Sequence, residues 1–294
     1  MGIILGLTGA VCWGLADFAA RFASRRVGAY RTLFFMQLFG FAALSIYLKW
    51  SGALTGVVVP GWQSWALAVT AGLLNMTASL ALYYSFQVGV MTVVAPVSSA
   101  YPALTVALAI ASGERIQPRR AVGLAVTILG VILAATSFAP DVTHPAIEPG
   151  SPRRAHLTKG VSWAVAAAVG FGFLFWLLGF HVVPRVGSVV SVWVIRLTSF
   201  TTLALLAAPA RQSLRLPRSN VWWLLAAVGV MDTAAFVANN AGLKTGQVSV
   251  VSVLASLYGA VTVLLSWIFL RERLERSQWF GVALIFAGIV LVSL

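Results

Sequence analysis

The chain has 294 residues, 60% of them hydrophobic and only 9% charged, and a formal net charge of +13. A soluble domain is roughly a quarter charged, so this is no soluble domain but a polytopic helical membrane protein. Its surplus positive charge lies mostly in short loops between apolar runs, where lipid headgroups hold it. Nucleic acid is therefore not an expected partner, and the single Cys12 excludes an internal disulfide or a Cys-rich metal site.

Ten apolar segments follow in order, at about 3–22, 32–48, 64–86, 90–112, 121–138, 160–180, 188–208, 221–243, 248–270 and 279–294. Uninterrupted runs of roughly 20 apolar residues predict membrane-spanning helices and rule out a barrel. No basic stretch precedes the first run, so it is expected to be a membrane helix and not a cleaved signal. Trp50, Trp62, Trp65, Trp222, Trp223 and Trp279 fall at segment ends, as interfacial rings do. The fifth and tenth segments carry Gly123/Gly130 and Gly281/Gly288, two helical turns apart, which predicts a close-packed face on each.

The chain repeats itself. Gly89 matches Gly246, Tyr101 matches Tyr258 and Thr105 matches Thr262, each 157 apart. After one inserted residue Glu114 matches Glu272, Gly123 matches Gly281 and Gly130 matches Gly288, each 158 apart. The first repeat is placed at 1–138 and the second at 160–294, with the polar, proline-bearing stretch 139–159 as linker. Asp141, His144, Glu148 and His156 in and around that stretch have a spacing that fits no metal-ligand pattern. Five segments per repeat, an odd number, make the second repeat enter from the opposite side. The expected fold is thus an all-α membrane protein, ten transmembrane helices as two inverted five-helix repeats around a central cavity. The positive-inside rule places both termini outside, since the loops on the side opposite them carry thirteen Lys and Arg (Arg21 included) against six on theirs.

Cys12-Trp13-Gly14, Ala95-Pro96, Tyr101-Pro102 and Gly113-Glu114-Arg115 resemble the EamA family of the drug/metabolite transporter superfamily. Ser256-Leu257-Tyr258-Gly259 and Arg271-Glu272-Arg273 repeat the pattern in weaker form, without the prolines. The resemblance implies a ten-helix basket, export or exchange of amino acids, metabolites or drugs, and termini in the cytoplasm.

Matched helix breaks in inverted repeats point to a solute site. Pro102 matches Gly259, and Ser99, Tyr101, Ser256 and Tyr258 flank the breaks as candidate hydrogen-bonding groups, or as partners of their own helices. Ionisable residues inside a membrane are costly and face inward. Asp17, Arg196 and Asp232 are such residues. Arg196 with Asp232 is the expected pair, read either as structural or as an anion clamp and a proton carrier. Asp232 and Asp17 are the candidate proton-coupling residues. Asn75 is the repeat mate of Asp232 and Tyr83 that of Asn240. These four, Asn239 and the intrahelical rings Trp13 and Trp176 complete the candidate solute site. No nucleotide, metal or hydrolase motif occurs, so no cofactor and no enzyme activity are expected. The expected function is secondary transport of a small organic solute across the plasma membrane, of a bacterial cell by the Arg-rich composition. Membrane lipids and protons are its other partners. The alternatives are carriage of a phosphorylated or lipid-linked metabolite clamped by Arg196, and a non-transporting accessory subunit.

Overall fold

The computed structural model describes residues 1–51, 61–135, 152–217 and 220–270, with 279–281, 283–284, 287–288 and 291 beyond them. Asp141, His144, Glu148 and the Arg271–Arg273 turn lie outside the described residues. Every regular element among those described is helical, as a chain without water to satisfy its backbone requires. In order they are α1 (Gly2–Val27), α2 (Ala29–Ser51), α3 (Trp62–Val88), α4 (Met91–Ser99), α5 (Pro102–Ala111) and α6 (Pro118–Ala135). Then come α7 (Pro152–Leu177), a π turn (Leu178–Val182), α8 (Val183–Val186), α9 (Ser188–Ala207), α10 (Val221–Thr245), α11 (Val248–Ala255) and α12 (Tyr258–Leu270).

Eight stretches are long and apolar enough to cross a membrane; they are segments one to four and six to nine of the sequence. The fifth segment is α6, and the tenth is described only in part. The π turn ends two residues before Pro184, which has no amide hydrogen to donate to the carbonyl four residues back and whose ring crowds it. Gly28 joins α1 to α2 at φ 88°, and Gly187 joins α8 to α9 at φ 89°. These two connectors are 159 residues apart. A one-residue joint in that backbone region needs glycine, because a Cβ would collide with its own chain.

Packing runs between the halves. α1 lies on α10 and α3 on α7; α2 lies on α10 and α9 on α3; α4 crosses α12 and α5 crosses α11, while α2 and α9 meet each other. Each contact has a counterpart with both helices exchanged for those at the matching place in the other half. Small residues permit the approach, as membrane helices require in the absence of a hydrophobic drive. α1 buries Gly6, Gly9, Ala10, Gly14, Ala16 and Ala20. A Cβ at Gly14 would sit 2.5 Å from Val261, one at Gly229 2.6 Å from the Met36 carbonyl, and one at Gly288 2.8 Å from the Gly123 carbonyl. The last contact brings the glycine faces of the fifth and tenth segments together.

Polar termini are tied across the same interface. The Glu114 carboxylate accepts hydrogen bonds from the Ser249 amide at 3.3 Å and from its hydroxyl, at the start of α11. A carboxylate there also meets the positive end of the helix dipole. Trp50, Trp62, Trp223 and Trp279 are exposed at the helix ends.

Candidate functional site

The fourth and ninth segments are each broken in mid-course, α4 from α5 at residues 100–101 and α11 from α12 at 256–257. Pro102 supplies no amide hydrogen at the first break and starts α5. The second break has no proline; it falls one residue earlier in the repeat, just ahead of Tyr258 and Gly259. The tyrosine at each break reaches across to the other half. The Tyr101 hydroxyl donates to the Ser252 carbonyl at 3.0 Å, and the Tyr258 hydroxyl to Ser98 Oγ at 3.1 Å. Their rings stack with centroids 6.5 Å apart.

Beside this crossing lies a small cavity of about 30 Å³. α1 contributes Trp13 and Asp17, α2 Met36, α3 Ser79, Leu82 and Tyr83, α7 Phe171 and Phe175, and α10 Asp232 and Phe236; Tyr101 and Tyr258 close it. Lining residues recur four apart: Trp13 and Asp17, Ser79 and Tyr83, Phe171 and Phe175, Asp232 and Phe236. Four residues is one helical turn, so each helix shows the cavity a single stripe. The aromatic rings interlock, Trp13 meeting its neighbours edge to face. Trp13 lies 5.6 Å from Phe175 and 5.0 Å from Phe236, and Tyr101 lies 4.8 Å from Phe175.

Behind the lining sits Arg196, fully buried. Its guanidinium forms an ion pair with Asp232, donates to Gln37 Oε1 at 2.7 Å, and lies 4.9 Å from the Phe236 ring centre. This is the pair expected from sequence, and it places the Arg196 charge against Asp232 instead of the open cavity. Asp17 is also buried, yet it has no hydrogen bond or ion pair among the described residues, and none with Arg21 one turn along α1.

Of the candidates, Trp13, Asp17, Tyr83, Tyr101, Asp232 and Tyr258 line the cavity, and Arg196 reaches it through Asp232. The others are placed elsewhere. Ser99, Pro102 and Ser256 border a separate crevice beside Thr127, and the two serine hydroxyls donate to their own helices, at the Pro96 and Val253 carbonyls. Asn75 donates to Ser199 Oγ at 3.4 Å and Asn240 to Ser191 Oγ at 3.1 Å, both buried between helices. The Asn239 amide is fully buried without a partner among the described residues. Trp176 donates to Ser112 Oγ at 2.8 Å away from the cavity.

Sequence reasoning missed Gln37 and the wall of Phe171, Phe175 and Phe236. Gln37 is a lone amide in the middle of an apolar run. The phenylalanines carried a signal in their spacing, four apart from each other or from Asp232.

Both halves of the chain match the EamA-like transporter family, over residues 1–136 and 158–294. An uncharacterized protein of Methanocaldococcus jannaschii is 29% identical over 136 residues, 46% of this chain and 96% of that protein. The spermidine export protein MdtI of Shigella flexneri is 36% identical over 78 residues, 26% of this chain and 70% of that protein. One crystal structure superimposes with a TM-score of 0.72 at 20% identity, covering 99% of this chain and 96% of the other, a likeness of fold.

Proposed function

Because the chain belongs to the EamA-like transporter family, we propose that it is a secondary exporter or exchanger that carries a small organic solute by alternating access. The observation that carries this reading is the buried aromatic and carboxylate cavity at the crossing of the two broken helices, where both halves contribute walls. Broken helices near mid-membrane are where such carriers hold solute and coupling ion. Ten helices in two inverted five-helix repeats are the scaffold, supported by the exchange of helix contacts between halves and by the like-shaped Gly28 and Gly187 joints. Two halves related in this way can rock about one site and open it to either side in turn.

The Arg196–Asp232 pair argues against an anionic cargo, since the guanidinium already has its carboxylate. Neutral, zwitterionic and cationic solutes remain, and the spermidine exporter among the relatives carries a cationic amine. Movement is driven by a proton or by exchange against a second solute, across a bacterial inner membrane.

Counterflow in proteoliposomes tests the reading, with pools of amino acids, sugars, phosphorylated metabolites and cationic amines. Saturable exchange within one pool is expected. Exchange confined to phosphorylated metabolites would restore the anion clamp. No exchange by folded protein with any pool, at any imposed pH gradient, would sink the carrier reading in favour of an accessory subunit.

A further inference from the structure

Three formal charges meet at the cavity, and only two of them cancel. Arg196 is an organic cation lodged in its wall, held by the Asp232 carboxylate and the face of Phe236. The same two kinds of group recur beside it without a cation paired to them among the described residues. Asp17 lies one turn from Trp13 on α1, and the Trp13 ring sits among Phe175, Phe236 and Tyr258 at 5.6, 5.0 and 6.4 Å. The titratable groups sharing the cavity with Asp17 are Asp232 from α10, Tyr83 from α3, Tyr258 from α12 and Tyr101 beside the first break. α2 adds only Met36 to the lining and α11 adds nothing. Arg21, one turn along α1, is buried and has a partner of its own.

Two carboxylates against one guanidinium leave one unit of negative charge in an apolar enclosure. Such a charge is strongly disfavoured unless a counter-charge joins it. Aromatic faces combined with a carboxylate are the chemistry that recognises ammonium and guanidinium groups. We propose that Asp17 is the counter-ion for a small organic cation of the ammonium or guanidinium class, and that this cation exchanges one for one with a proton on Asp17. When the cation enters, the carboxyl O–H bond breaks and the proton leaves to water on the open side. When the cation departs, the carboxylate takes a proton back. Either occupant makes the cavity neutral, so both loaded forms can turn over and the unloaded carboxylate cannot. This inference rests on the carrier reading above and adds its cargo class and coupling.

Four ligands sharing a phenyl ring separate the charge requirement: phenethylamine, benzyltrimethylammonium, phenylalanine and 3-phenylpropionate. Titration calorimetry on the full chain in nanodiscs, repeated in weak buffer with a pH dye, reads affinity and proton release. The two cations should bind at least about tenfold more tightly than phenylalanine or phenylpropionate, releasing about one proton each. Asp17→Asn should lose roughly 30-fold or more in cation affinity and all of the proton release, while Asp17→Glu keeps the release. Should Asp17→Asn not fold, wild-type protein serves: phenethylamine should slow the modification of Asp17 by a hydrophobic carbodiimide, read by mass spectrometry. Equal affinity for all four ligands, cation binding without proton release, or undiminished binding by folded Asp17→Asn would each overturn the proposal. Counterflow keeps the two readings apart. A chain that exchanges some solute but binds neither cation is a carrier of another cargo; one that binds cations but exchanges nothing is no carrier.

Discussion

The two halves place different chemistry at the same positions. Arg196 is 159 residues from Gln37, the separation of the Gly28 and Gly187 joints, and Asp232 is 157 from its repeat mate Asn75. The second half therefore has a guanidinium and a carboxylate where the first has two amides. Arg196 and Asp232 bond each other and Arg196 bonds Gln37, while Arg196 Nε has no hydrogen-bond partner among the described residues. The amides do not bond each other: Asn75 bonds Ser199, and Gln37 Nε2 and Asn75 Oδ1 are buried without partners among the described residues. A backbone arranged two-fold can thus carry a one-sided electrostatic field. The two carboxylates that line the cavity come from different halves, Asp17 from one and Asp232 from the other.

An all-or-none test of the comparison is topology. In a Cys12→Ala background, single cysteines at Arg26 and Arg185, at matching helix ends, should be labelled by an impermeant maleimide from opposite sides of the membrane. Labelling of both from one side would remove the inverted relation. The result also decides between the outward termini read from loop charges and the cytoplasmic termini implied by the family.

The next largest effect lies in the buried pair. Arg196→Gln leaves Asp232 without its counter-charge, which costs about 3–5 kcal/mol where a buried pair is broken. Arg196→Gln with Asp232→Asn rebuilds the amide pair of the first half and should recover most of that loss. Denaturant titration of the purified protein in detergent checks it; equal loss in the single and double variants would show that the charges do not depend on each other. Smaller still are Tyr101→Phe and Tyr258→Phe. Each removes one hydrogen bond between halves, worth about 0.5–1.5 kcal/mol, and the same titration should show similar losses for both. A large loss for one alone would mark the crossing as functionally lopsided.

Much of this was legible in the sequence because membrane helices write their length and their punctuation plainly. The first nine apolar runs became helices, the Tyr101 and Tyr258 regions became breaks, and sequential helices brought Arg196 to Asp232. The inner wall was harder. In a soluble helix the buried stripe stands out against polar faces; here Phe171, Phe175 and Phe236 lie on helices that are apolar all round, so packing alone chooses which ring turns inward. Hydroxyls misled for a related reason. Ser99 and Ser256 sit beside the breaks, but with no water at hand each satisfies itself on its own backbone. Asn239 and Asn240 show the same ambiguity, since a buried amide takes whichever neighbour it meets.

The exchanged packing of α1 on α10 and α3 on α7 has a consequence for the unit that folds. The copy boundary in the sequence is not a seam in the molecule. Each copy is a mould for the other, as the fingers of clasped hands are, and its glycine and alanine faces match knobs that only the opposite copy supplies. A cut in the 139–159 linker would sever the chain without opening that grip, whereas one copy expressed alone would present unfilled grooves to lipid.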